Sequence, residues 1–77
     1  MTSKWLHELK PGEEGKIVKV AGGGAIHRRL LDMGLVSGSE VEVERVAPLG
    51  DPIEIKIKGY HLSLRKEEAS NIQVEVK

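Results

Sequence analysis

The sequence has no cysteine and no phenylalanine, a single tryptophan, a single tyrosine, and no excess of either charge. Each absence removes a class of function. Without cysteine there is no disulfide, no thiolate metal ligand and no thiol nucleophile, which fits a reducing compartment. Lys and Arg number 12 against 12 Asp and Glu, so the basic excess of a protein that grips nucleic-acid backbone is missing. Trp5 and Tyr60 alone make no platform for stacking bases. No apolar run approaches the roughly 18 residues of a transmembrane helix. The N-terminal MTSKWLHELKPG also lacks the apolar stretch and cleavage site of a signal peptide. These exclusions point to a soluble cytoplasmic protein with no nucleic-acid partner and no direct membrane insertion. Its 77 residues suffice for one domain, 1–77, around one small core.

What the chain does have is alternation. SEVEVERVA sets Val41 and Val43 against Glu42 and Glu44, and PIEIKIKG sets Ile53, Ile55 and Ile57 against Glu54, Lys56 and Lys58. YHLSLR and NIQVEVK repeat the pattern, and Lys16 to Val20 adds a further strand ahead of three glycines. A period of two with β-branched residues predicts strands that are buried on one face and wet on the other. Ala47-Pro48-Leu49-Gly50-Asp51-Pro52 and Lys58-Gly59 carry the residues of hairpin turns. Lys66 to Ser70 reads as one short helical turn, and Ser3 as the cap of another that lays Trp5, Leu6 and Leu9 on the body. Five strands in so short a chain imply a closed or half-closed barrel, because closure removes edges that a small sheet cannot protect.

One segment breaks the alternation. In AIHRRLLDMG, Ile26, Leu30 and Met33 share a helical face, Arg28, Arg29 and Asp32 lie toward solvent, and Gly34 ends the helix as a left-handed cap. The preceding Gly22-Gly23-Gly24 raises the question of a phosphate loop. The P-loop spacing puts His27, Arg28 or Arg29 where a glycine is required, and the dinucleotide spacing from Gly22 puts His27 there. Both templates fail, which leaves the glycines as a sharp bend into the helix.

The remaining chemistry is sparse. His7, His27 and His61 fall in three different segments, without the i, i+4 or i, i+2 spacing of a preformed metal site. They leave room for, at most, a weak adventitious metal site that involves an acidic neighbour. No serine sits in a nucleophile elbow, and Glu13-Glu14 and Glu67-Glu68 read as solvated pairs. A barrel of this size also has little volume for a substrate pocket. The chain is therefore expected not to be an enzyme and to bind no cofactor with certainty. What remains is a surface: Leu49 at a hairpin tip, Leu35 and Val36 in the turn after the helix, and Arg28 and Arg29 as a charged rim. Leu49, Leu35 and Val36 read equally well as folded back over the barrel end. An unpaired strand or these apolar turns leave room for weak self-association.

Several short motifs now carry a resemblance. Leu9-x-Pro11-Gly12-x-x-Gly15 is followed by Arg29-Leu30-Leu31-Asp32-Met33-Gly34-Leu35-Val36-x-Gly38. After these come Pro48-Leu49-Gly50-Asp51-Pro52, Gly59-Tyr60-x-Leu62-x-Leu64-Arg65 and the Glu68-Ala69 turn. In this order and spacing, from about Leu6 to Val76, they resemble the ferrous iron transport protein A (FeoA) family. Ser37 departs from the proline that the family often carries there. The resemblance implies a mainly β fold, an SH3-like barrel of about five strands with one short helix inserted after the first strand. It also implies a small cytoplasmic accessory of ferrous iron uptake that acts as a protein-interaction module for the FeoB membrane transporter. On that reading the contact residues are Arg28, Arg29, Leu35 and Leu49. The alternative it implies is a metal-sensing domain, because a related barrel forms the C-terminal domain of iron-dependent repressors, and His27 and His61 are then the weak candidates for binding Fe2+ or another divalent transition metal.

Overall fold

A computed structural model describes residues 2–77. In chain order the elements are β1 (Thr2–Trp5), a 3-10 turn (Leu6–Glu8), β2 (Glu14–Val20) and α1 (Gly24–Asp32). They continue with β3 (Glu40–Val46), β4 (Ile53–Ile57), β5 (Tyr60–Leu64), α2 (Lys66–Ala69) and β6 (Ile72–Val76). The strands form one antiparallel sheet of six in the order β1-β6-β2-β3-β4-β5.

The alternation predicts the inward face correctly. Ile17, Val41, Val43, Ile53, Ile55, Ile57, Leu64, Ile72 and Val74 are all buried and belong to one cluster. A sheet of six strands delivers one face to a single cluster only if it curls, which gives the SH3-like half-barrel. The β3–β4 hairpin closes over Ala47 to Pro52, where the Asp51–Pro52 peptide is cis. The β4–β5 turn is the tight kind: Lys58 and Gly59 both have positive φ, at 51° and 83°, so Ile57 pairs directly with Tyr60.

The N-terminal segment differs from expectation. Thr2–Trp5 is a sixth strand, paired with β6 in the register Thr2↔Val76 to Trp5↔Gln73, so the helix follows the second strand and not the first. TSKW has no apolar alternation; its order comes from β6, whose outer edge it covers. Ser3 is therefore not a helix cap. The turn begins at Leu6, and Glu8 Oε1 accepts the Trp5 N–H at 2.8 Å. Leu6 and Leu9 are buried, as expected.

Candidate functional site

Among the features that the strand pattern leaves unexplained is the exposed side of α1. The helix carries no side-chain N-cap, and Gly23 enters it in an extended conformation. Gly22, at φ +93°, supplies the turn. A Cβ there would meet the Asn71 side chain at 3.2 Å, so the glycine serves both the bend and a close approach. The far end is a Schellman motif: Gly34 N–H donates to Leu31 O at 2.9 Å, and Leu35 N–H donates to Leu30 O at 3.0 Å. The motif brings Leu30 and Leu35 together, and both are fully buried. Leu35 is thus a core residue, which removes it from the contact surface; Val36 beside it is half-buried.

Of the other surface candidates, Arg28, Arg29 and Leu49 are exposed, Leu49 at 92%. The two arginines are not equivalent. Arg29 Nε lies 3.0 Å from Glu68 Oε2, whereas Arg28 makes no ion pair among the described residues. Glu68 departs from the solvated pair expected at Glu67-Glu68. Its carboxylate is 8% exposed, because its other oxygen turns inward to accept the Arg65 N–H at 3.0 Å and starts α2. Asp51 Oδ1 accepts the Lys66 N–H at 3.2 Å, which ties the β3–β4 hairpin to the same helix. Arg29 consequently shares an open groove of about 480 Å³ with Asp51 and Pro52, at the base of the hairpin that carries Leu49.

A second groove, of about 600 Å³, lies between the end of β2 and the other flank of α1. Lys19, Val20 and Gly22 line one side, and His27, Arg28, Leu31 and Asp32 the other. Sequence reasoning placed Leu31 on the helix without assigning it a role. It is 40% exposed, because it lies off the face that Ile26, Leu30 and Met33 turn to the barrel. Its offset from that face is the signal that would have found it.

The histidines remain apart. His27 is half-buried in the β2–α1 groove, and His61 pairs across strands with Glu44, Nδ1 to Oε1 at 2.6 Å. His7 Nδ1 is buried without a hydrogen-bond partner among the described residues. No group of three His, Asp or Glu side chains among the described residues is placed to hold a metal ion. An exposed pair carries shifted titration. Lys77 Nζ donates to Glu40 Oε1 at 2.9 Å, which holds the Glu40 carboxyl below its ordinary value and the Lys77 ammonium above its own. Among the described residues, no helix is long and apolar enough to cross a membrane.

Comparison with known proteins bears directly on this arrangement. The FeoA domain family matches residues 4–76. A curated relative from Porphyromonas gingivalis, an Fe(2+) transport protein A/Fe(2+) transporter FeoB fusion protein, is 44% identical over 71 residues. That match covers 92% of this chain and 8% of the relative, so the chain spans a small part of that protein's length. The solution structure of a FeoA-like protein from Clostridium acetobutylicum is 42% identical, with a TM-score of 0.90 over 99% of this chain and 90% of that one. FeoA from Stenotrophomonas maltophilia, a prokaryotic SH3 domain protein complexed with zinc, is 28% identical, with a TM-score of 0.81 over 97% and 91% of the two chains. A manganese-dependent transcriptional repressor shares the fold alone, at 18% identity and a TM-score of 0.91 over 100% of this chain and 38% of that one. With a family match from residue 4 to residue 76 and the expected SH3-like barrel beneath it, the chain belongs to the FeoA domain family.

Proposed function

We propose that this protein is a non-enzymatic interaction module of ferrous iron uptake that works in the cytoplasm by docking on the cytosolic part of a FeoB-type transporter. The observation that carries the reading is the relative in which an equivalent domain and a FeoB transporter form one polypeptide. Fusion of two partners supports their working in contact, because a tether raises the effective concentration of one at the other. The contact surface we assign is the exposed side of α1, with Arg28 and Arg29, together with the hairpin tip at Leu49. Arg29 and the base of that hairpin line one groove, so a single partner surface can reach both. A large apolar side chain at 92% exposure contributes nothing to the barrel core and suits an interface. The test is an NMR titration of the labelled chain with the cytosolic region of a FeoB-type transporter. Shifts at Arg28, Arg29 and Leu49 are expected, and their absence would count against the surface.

A second reading, metal sensing, draws on the zinc complex of the Stenotrophomonas relative. In this chain it has two donors in place, His61 Nδ1 and Glu44 Oε1. Two donors make at most a weak site, since a structural zinc takes four ligands. Titration with Fe2+ or Mn2+, both paramagnetic, should broaden the resonances of His27 or His61 if the reading holds, and leave them sharp if it does not.

A further inference from the structure

The groove between β2 and α1 has three properties that converge on one kind of occupant. First, its basic groups are uncompensated. Lys19 and Arg28 face it and neither makes an ion pair among the described residues, on a chain whose net charge is zero. Asp32, one helical turn beyond Arg28, is the single carboxylate in the lining. Second, the groove has an exposed apolar wall at Leu31, and Val18, the residue before Lys19 on β2, is exposed to the same 40%. Third, the strand along its side is half-paired. β2 pairs with β3 from Glu14 to Lys16, and Ile17 exchanges hydrogen bonds with Gly38 and Ser39 just before β3, while the pairing of β2 with β6 runs on to Val20. The register of β2 against β6 shifts between Ile17 and Lys19, which makes Val18 the bulged residue. Among the described residues, no strand covers the side away from β6 past the bulge. There the turn after α1 reaches the bulge, Ser37 Oγ donating to Val18 O at 3.3 Å.

We infer that this groove receives an extended, acidic segment of a partner protein, its carboxylates on Lys19 and Arg28 and an apolar side chain against Leu31. An extended backbone is what an open strand edge accepts, and alternating side chains then meet the basic and apolar positions in turn. Electrostatic complementarity selects the acidic partner, and Asp32 limits the negative charge to the Lys19–Arg28 end. The inference deepens the docking reading above and rests on it for the identity of the partner.

The test uses the full chain, isotope-labelled for NMR, with two probes. One is the cytosolic region of a FeoB-type transporter. The other is an N-acetylated, C-amidated pentapeptide that alternates glutamate with leucine. The peptide should shift the amides of Lys19, Val20, Arg28 and Leu31, and less so at high salt. Arg28→Glu or Lys19→Glu should weaken its binding about two- to fivefold, as expected for exposed charge pairs. Arg28→Gln, milder for the helix, should weaken it in the same direction. The inference is overturned if the peptide leaves these amides unmoved, or if the matching lysine–leucine peptide binds as well. Unchanged affinity in all three variants also overturns it. A transporter region that binds with shifts confined to the Leu49 hairpin overturns the groove and leaves the docking reading standing. Peptide shifts at the groove with no transporter binding support the groove and overturn the docking reading.

Discussion

Arg29 Nε lies 3.0 Å from Glu68 Oε2, so the side chain that starts α2 also anchors α1. The helix needs such an anchor. It is flanked by Gly22 at one end and Gly34 at the other, and only Leu30 among its side chains is fully buried. Glu68→Ala removes the anchor and also leaves the Arg65 N–H without its acceptor. We expect a loss of about 1–3 kcal/mol in chemical denaturation. Glu68→Gln keeps a cap acceptor and should lose less. Because the Arg29 side chain is 64% exposed, a double-mutant cycle between the two residues should give a coupling of about 1 kcal/mol or below.

Gly34 is required twice over. Its φ is +90°, and a Cβ built on it would lie 2.7 Å from the Tyr60 hydroxyl. That hydroxyl is held in place by donating to Met33 O at 2.8 Å. Gly34→Ala should therefore destabilise by about 1–3 kcal/mol in thermal unfolding. Tyr60→Phe alone should cost about 0.5–1.5 kcal/mol for the lost hydrogen bond. Introduced on top of Gly34→Ala it should cost clearly less, because it removes the clash. Additive losses would show that the alanine is accommodated some other way.

Leu35 and Leu49 both stand in turns, and they should respond in opposite ways. Leu35 is at 0% exposure and packs in the core, so Leu35→Ala should cost about 2–5 kcal/mol of folding stability. Leu49→Ala should stay within about 0.5 kcal/mol. If Leu49 belongs to the docking surface, its loss should instead weaken binding to the transporter's cytosolic region.

The Glu40–Lys77 pair has a defined pH window. The Glu40 carboxyl is held below its ordinary value by the Lys77 hydrogen bond and charge, so its contribution is present above that ordinary value and lost as pH falls through the lowered one. The Lys77 ammonium is raised by Glu40, so its contribution is present below its ordinary value and lost as pH rises through the raised one. Between these limits the pair ties the end of the chain to the start of β3. An NMR titration of the Glu40 carboxyl should show its midpoint rise toward the ordinary value in Lys77→Ala. Because both groups are exposed, salt should produce the same change in the intact chain.

The strands and the helix were legible because their residues are periodic. Ile53, Ile55 and Ile57 can satisfy a pleated strand with only one face buried, and Ile26, Leu30 and Met33 can share a face only on a helix. The Gly34 cap was legible too, since a glycine at the end of such a run has few other uses. Thr2–Trp5 was not, because TSKW carries no pattern of its own and becomes a strand only when β6 offers it an edge. Two residues of the β2–α1 groove were hidden for a related reason. Leu31 and Lys19 are ordinary residues until the chain sets the end of β2 beside α1 and opens a groove between them.

By itself, then, the sequence determined which residues turn inward along each strand, where the chain turns, and which family its motifs belong to. These are local matters of period, glycine and proline. The tertiary structure alone decided the fate of residues whose environment is made by distant segments. Leu35 went to the core because a helix cap folded it onto Leu30, and Glu68 was buried because one backbone N–H and one arginine met its two oxygens. A carboxylate or a leucine in a turn carries no mark of its burial; the partners that come to it from elsewhere in the chain decide that.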